Sequence, residues 1–122
     1  MNRGEERFKR PKMKKVFSEA EKKLVEVRNL KNLTFKSHPE WKFFVHRTLE
    51  SSKTFTVTEN STGVAVRYNC DTVKIAIAQA EFTLANLKPD STNSVGSLKS
   101  AVKQAQKRIL GINPDITFPV NR

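Results

Sequence analysis

The sequence predicts an α+β fold: an N-terminal helix, a three-stranded antiparallel sheet, then two C-terminal helices packed on one face of that sheet, with a basic N-terminal arm. Three observations predict it. Apolar residues recur at helical spacing between residues 18 and 33, alternate with polar residues between 41 and 68, and return to helical spacing from 73 onwards. With 122 residues, 37% of them hydrophobic, the chain can bury one modest core. The predicted organisation is a flexible arm at residues 1–15, a single α-β-β-β-α-α domain at 16–110 and an extended tail at 111–122.

The first helix is predicted from its start signal. Ser18 is followed three residues later by Glu21, which is the spacing of a capping box: the serine hydroxyl accepts from the Glu21 amide while the glutamate reaches back. We therefore expect a half-buried amphipathic helix over residues 18–33. Its apolar stripe continues at i, i+4 and i+7 through Ala20, Leu24 and Val27.

From Trp41 the period of the pattern changes to two. Apolar residues alternate with polar ones over residues 41–49, 54–58 and 64–68, as strands with one buried face require. The polar segment 59–63 ends in glycine and is typical of a turn. Because the connections are short, the three strands are expected to form an antiparallel meander.

Two helices are predicted in the C-terminal half. The one that begins near Asp71 has two apolar lines, so we expect it to pack against the sheet on one side and against another helix on the other. The last helix carries one apolar line and is expected to end at Gly111, a residue that readily takes the left-handed closing conformation. The lines of the central helix are Val73, Ile77, Ala80, Leu84 and Leu87, and Ile75, Ala78, Phe82 and Ala85; the last helix carries Val95, Leu98, Val102, Ala105 and Ile109.

The chain is strongly basic, with 23 Lys and Arg against 12 Asp and Glu and a formal net charge of +11. Such a protein attracts polyanions, because each neutralised phosphate releases condensed counterions. Residues 1–15 hold seven basic and two acidic residues, and residues 91–122 hold five basic residues and one acid. The charge is thus concentrated at both ends, and nucleic acid is the expected partner.

Composition disfavours other functional classes. No apolar run approaches the ~20 residues of a spanning helix, so no membrane partner is expected. No apolar signal segment follows Met1, so we expect a reducing compartment, cytoplasmic or nuclear, or a virion or phage-infected host cell. Cys70 is the single cysteine and there are two histidines, which disfavours a disulfide and a structural zinc site. With no glycine-rich phosphate loop and no nucleophile set suggested by local context, we expect no catalysis and no cofactor.

Three groups of residues are candidate contacts for nucleic acid. The arm offers seven phosphate contacts; its alternative role is a solvated tail. The last helix offers lysines at i, i+4 and i+8 with an arginine beside them, alternatively an ordinary solvated face. On the polar face of the sheet, Phe44 and His46 are candidates for base stacking, the favoured alternative being that a helix or the tail covers Phe44. The arm residues are Arg3, Arg7, Lys9, Arg10, Lys12, Lys14 and Lys15, and the helix residues are Lys99, Lys103, Lys107 and Arg108.

The predicted order of helix, three antiparallel strands and helix resembles two families over about residues 18–87: double-stranded-RNA-binding domains and the small Alu-RNA-binding subunits of the signal recognition particle. In the first family a lysine cluster opens the second helix, and here Asp71-Thr72-Val73 stands at its place. Ala80, Leu84 and Leu87 fit the later part of that helix. The resemblance implies RNA binding, which favours RNA slightly over DNA.

The sequence therefore predicts a non-enzymatic nucleic-acid-binding protein that acts mainly through phosphate contacts. Two alternatives stay open. One is a structural component of a viral or phage particle or of a ribonucleoprotein, which would form homo-oligomers or larger assemblies. The other is an adaptor or inhibitor that binds an acidic protein through the same lysines.

Overall fold

The chain folds mainly as antiparallel β structure in the computed structural model, which describes residues 12–90 and 96–118. Within these residues, six strands form a two-stranded and a four-stranded sheet, and two helices follow the strands. In chain order the elements are β1 (Met13–Ser18), β2 (Lys23–Arg28), β3 (Lys31–Phe35), β4 (His38–Thr48), β5 (Ser51–Glu59), β6 (Ala65–Cys70), α1 (Val73–Ala85) and α2 (Leu98–Ile112).

The predicted N-terminal helix is wrong, because β1 and β2 form a hairpin in a register that sets Val16 opposite Val25. The Ser18 hydroxyl does accept from the Glu21 amide, at 3.1 Å, but this bond closes the hairpin turn instead of starting a helix. The Lys22 amide donates to the Ser18 carbonyl at 2.7 Å, and Lys22 itself adopts a φ of 57°. Since the first described helix follows the strands, the predicted fold class is incorrect, and the layout shared with the two RNA-binding families is absent.

The four-stranded sheet has the order β3-β4-β5-β6, with all neighbours antiparallel. Its last three strands correspond to the three predicted ones. The edge strand β3 was not predicted, and part of it lies in the segment predicted as the first helix. Because successive side chains point to opposite faces, Phe43 and Val45 lie on one face and Phe44 and His46 on the other. The two faces have different coverings.

Helix α1 covers the first face and completes the hydrophobic core. Its N-cap is Thr72, whose hydroxyl accepts from the Ile75 amide at 3.0 Å. Of the two predicted apolar lines, the one through Ala80 and Leu84 faces the sheet, since its members are buried or partly buried in the core cluster. The second predicted line is exposed, so the expectation that another helix packs there is wrong. The core consists of Leu33, Phe35, Phe43, Val45, Val57, Cys70, Ala76, Ala80, Leu84, Leu98 and Val102.

The hairpin lies on the second face. Lys14 is 6.0 Å from the centre of the Phe44 ring, and the Phe17 amide donates to the Gly63 carbonyl at 2.8 Å, joining β1 to the β5–β6 connection. Val16 and Ser18, which point the same way as Lys14 along β1, are buried. The expectation that Phe44 is covered is therefore confirmed, but in the described residues the cover includes the hairpin, where a helix or the C-terminal tail was expected.

Helix α2 begins at the N-cap Ser97, whose buried hydroxyl accepts from the Ser100 amide at 3.2 Å. Three members of its predicted apolar line, Leu98, Val102 and Ile109, are buried, while Val95 lies outside the described residues. The predicted stop at Gly111 is wrong, because the helix continues to Ile112. Residues 113–118 of the predicted tail contain no helix or strand.

Candidate nucleic-acid interface

The predicted basic arm, residues 1–15, lies partly outside and partly inside the described residues. Arg3, Arg7, Lys9 and Arg10 lie outside the described residues. Lys12 is exposed just before β1, and Lys14 and Lys15 are β1 residues, so strand structure begins inside the segment predicted to be a flexible arm.

The hairpin orients its lysines by strand alternation. Lys14 points inward, where it is half-buried beside Phe44. Lys15 points outward, is exposed, and lies opposite Glu26 on β2. Lys12 and Lys15 are therefore available to a ligand without unfolding, whereas Lys14 is committed in part to packing.

The hairpin and the start of β3 also carry cations that the sequence pattern did not single out. Residues 12–31 contain seven basic residues against three acids. Among the described residues, Lys23 pairs with Glu21 at 3.7 Å on the surface, a contact worth little in water. The signal that could have found this surface is the continuation of basic residues beyond position 15. The additional cations are Lys22, Lys23, Arg28 and Lys31.

The lysine row of α2 consists of Lys99, Lys103 and Lys107, all exposed as predicted. At 1.5 Å per residue the row is about 12 Å long. Its first part lies near two acids, since Lys99 and Lys103 line a groove that also contains Glu40 and Asp90. The oxygens of Asp90 accept from the Trp41 indole at 2.8 Å and from the Lys99 amide at 2.9 Å, which anchors the start of α2 to β4.

Arg108 is separated from this row. Its guanidinium lies 2.8 Å from a Glu19 carboxylate oxygen and 5.9 Å from the centre of the Phe17 ring. Because consecutive helical residues differ by about 100° around the axis, Arg108 points toward the hairpin while Lys107 does not. Arg108, expected beside the lysine row, thus lies toward the hairpin, and its role as a phosphate contact stays a prediction.

The hairpin and α2 nevertheless meet at one place. Arg108 contacts the hairpin turn through Glu19, and the Asn113 side-chain amide donates to the Lys22 carbonyl at 3.0 Å. The C-terminal end of α2, which carries Lys107 on another side, thus contacts the hairpin turn that carries Lys22 and Lys23.

Comparison with known proteins identifies no matching family model, no similar curated protein and no similar solved structure. The function is therefore inferred from the surface itself.

Phe44 and His46 present no ring face to solvent, with exposed fractions of 1% and 2%. His46 Nδ1 lies 2.7 Å from the Arg47 carbonyl, which only accepts, so Nδ1 carries the proton and Nε2 accepts from the Thr58 hydroxyl at 2.7 Å. Burial lowers the pKa of His46 below its usual 6.5, against the smaller opposing effect of the Arg47 carbonyl. An unpaired base could not stack on either ring while the hairpin stays in place.

A cleft of about 410 Å³ separates part of the hairpin from the sheet. The polar side chains on its floor form hydrogen bonds with one another. Besides the His46–Thr58 bond, the hydroxyls of Thr48 and Thr56 lie 2.8 Å apart. Arg108 and Glu19 lie at its rim as an ion pair. No buried polar side-chain atom of this cleft is left without a partner in the described residues.

Three further features considered from the sequence are Cys70, a metal site and a membrane-spanning helix. Cys70 is buried in the core, with its Sγ 3.7 Å from Gln79 Oε1. In the described parts of the chain, no three His, Cys, Asp or Glu side chains are grouped as metal ligands. No helix of residues 12–90 or 96–118 is long and apolar enough to cross a membrane.

Proposed function

We propose that this protein binds nucleic acid without catalysis, through phosphate contacts made by the outer side of the hairpin and by the lysine row of α2. The observation that carries the proposal is the contact between the hairpin turn and the end of α2, which joins the two elements that carry these exposed cations. Arg3, Arg7, Lys9 and Arg10 precede β1 in the sequence and stay predicted phosphate contacts. RNA and DNA are equally supported as ligands, because the preference for RNA depended on an order of helices and strands that this fold does not have.

Repulsion between the lysines of the α2 row favours the binding of a polyanion. Like charges at i and i+4 on a helix repel by roughly 0.2–0.5 kcal/mol per pair, and the row contains two such pairs. Bound phosphates replace this repulsion by attraction and release counterions. None of Lys99, Lys103 and Lys107 is in an ion pair among the described residues, although Glu40 and Asp90 line the groove beside the first two.

Salt-dependent binding tests the proposal. Affinities of the full chain for single- and double-stranded RNA and DNA of equal length are measured by fluorescence anisotropy over a range of salt concentrations. Three double variants each remove two exposed positive charges and are compared with the wild type. They are Lys12→Gln with Lys15→Gln on the hairpin, Lys103→Gln with Lys107→Gln on α2, and Lys36→Gln with Lys53→Gln as the matched control.

Removal of one lysine–phosphate interaction lowers the slope of log K against log salt by about 0.9 for duplex DNA or about 0.7 for single strands. The hairpin and α2 variants should therefore each lower the slope by about 1.8 or 1.4, while the control keeps the wild-type slope. Absence of binding to all four nucleic acids at low salt would overturn the function. Equal slope changes in all three variants would overturn the assignment to this surface.

A further inference from the structure

The outer face of α1 is apolar although it faces away from the sheet. Phe82 is 73% exposed and Ile75 is 40% exposed. Ala78 and Ala85 are exposed beside them, which completes a stripe at i, i+3, i+7 and i+10. The buried residues Ala76, Ala80 and Leu84 lie on the opposite side of the helix, so this stripe plays no part in the core.

The stripe has the arrangement that a two-fold symmetric contact needs. In a two-fold dimer the same patch occurs on both subunits, so each large side chain must meet a complementary one on the other copy. If two α1 helices run antiparallel with the axis at Ala78, residues whose numbers add to about 156 face each other. Ile75 then faces Phe82 of the partner subunit, and the alanine at the axis allows the helices to approach closely.

The charges beside the stripe fit the same register. Lys74 and Glu81 are exposed on one flank of the stripe, two turns apart, and neither is in an ion pair among the described residues. Rotation about an axis at Ala78 brings Lys74 level with Glu81 of the partner subunit, and Glu81 level with the partner's Lys74. In a parallel two-fold arrangement the flank that carries Lys74 and Glu81 would meet the opposite flank of the partner helix, so these two residues would not pair.

We propose that a second copy of this chain covers the stripe, forming an antiparallel α1–α1 dimer about a two-fold axis at Ala78. Phe82 packs on Ile75 of the partner subunit, and two Lys74–Glu81 pairs flank the contact. This inference is independent of the proposed function. The two are compatible, since the dimer would carry two cationic surfaces and bind a long polyanion at both.

The proposal is tested on nuclease-treated, nucleic-acid-free full chain by sedimentation equilibrium over a concentration series. Wild type should show a concentration-dependent monomer–dimer equilibrium. Ala78→Glu, which places two carboxylates at the axis, should be monomeric, and because Ala78 is exposed its thermal unfolding should stay cooperative. A wild-type chain that is monomeric at all concentrations would overturn the proposal, as would a folded Ala78→Glu variant that dimerises as wild type does.

Charge exchange tests the register. Lys74→Glu or Glu81→Lys alone changes two attractive pairs to repulsive ones and should weaken dimerisation about tenfold, which is about 1.4 kcal/mol. The double variant restores both pairs and should return the dissociation constant to the wild-type value. Lys53→Glu, on β5, is the matched control and should have no effect. A double variant as weak as the sum of the single variants would overturn the antiparallel register.

Discussion

Replacing Gly63 by alanine should loosen the hairpin from the sheet. Gly63 has a φ of +74°, a conformation that L side chains rarely adopt. A Cβ built on it would lie 3.0 Å from the Lys15 carbonyl oxygen, the Phe17 amide nitrogen and the Val16 Cα. All three are backbone atoms of β1, so no side chain can rotate away to make room. The carbonyl of the same glycine accepts from the Phe17 amide at 2.8 Å, a bond that displacement of β1 would break.

The magnitude follows from two effects. The left-handed backbone costs a residue with a Cβ roughly 1–2 kcal/mol, and inserting a methyl group into a packed contact costs roughly 1–3 kcal/mol. We expect a loss of about 2–5 kcal/mol, a large share of the roughly 5–15 kcal/mol that stabilises a domain of this kind. The measurement is the free energy of urea unfolding, followed by the fluorescence of Trp41 and by far-ultraviolet circular dichroism.

Gly111→Ala provides the matched control. Gly111 lies near the end of α2 with no atom within 4 Å of its would-be Cβ, so alanine fits the helix there. Its higher helix propensity should raise stability by roughly 0.5–1 kcal/mol. A Gly63→Ala variant as stable as the Gly111→Ala variant would refute the close approach of β1 to the β5–β6 connection.

Two further predictions concern buried polar groups. Because burial lowers the pKa of His46, the unfolded chain takes up its proton near pH 6.5 while the folded chain resists it. The contribution of neutral His46 to the free energy of unfolding is therefore complete above pH 6.5. It is lost as the pH falls through the folded pKa, and the free energy of unfolding then falls by up to about 1.4 kcal/mol per pH unit. Urea unfolding between pH 7.5 and 5 should show this slope in wild type and a reduced one in His46→Gln; equal slopes would contradict it. Glu59 is buried, and its carboxylate accepts from the amides and hydroxyls of Ser61 and Thr62 at 2.6–3.0 Å. Glu59→Gln replaces one acceptor oxygen by a donor and should cost roughly 1–3 kcal/mol of unfolding free energy, whereas a loss below about 0.5 kcal/mol would show that the turn does not need both oxygens.

The C-terminal two thirds of the fold could be predicted because local pattern and tertiary burial agree there. Alternation of apolar and polar residues, interrupted at Phe44, predicts β4, β5 and β6, and two apolar lines predict α1 without deciding which of them faces the sheet. The N-terminal hairpin could not be predicted, because one hydrogen bond fits two structures. Ser18 accepts from Glu21 in a capping box and in this hairpin turn alike. The alternation of Val25 and Val27 with Glu26 and Arg28 was the competing signal for a strand.

The candidate site was predictable only in part, for the same reason. Exposure of Lys99, Lys103 and Lys107 follows from their position opposite the apolar line of α2, which is a local property. The contact between α2 and the hairpin turn depends on Arg108 and Glu19, which are 89 residues apart, and no local pattern records such a contact. Burial of Phe44 and His46 likewise depends on the hairpin, which was not expected because residues 18–33 were predicted to form a helix.

The hairpin connects the fold and the proposed function physically. It covers a sheet face on which Phe44 and His46 are buried, and Val16 is buried on its inner side. The His46 ring and the threonine hydroxyls of that face satisfy one another. The hairpin is attached by backbone contacts at Gly63, and its turn contacts α2 through Glu19 and Lys22. Under the proposed function, a polyanion that contacts the hairpin and the lysine row of α2 together binds only the docked arrangement and stabilises it, by about 2.7 kcal/mol at a hundred times the dissociation constant. Hairpin docking and nucleic-acid binding are therefore coupled.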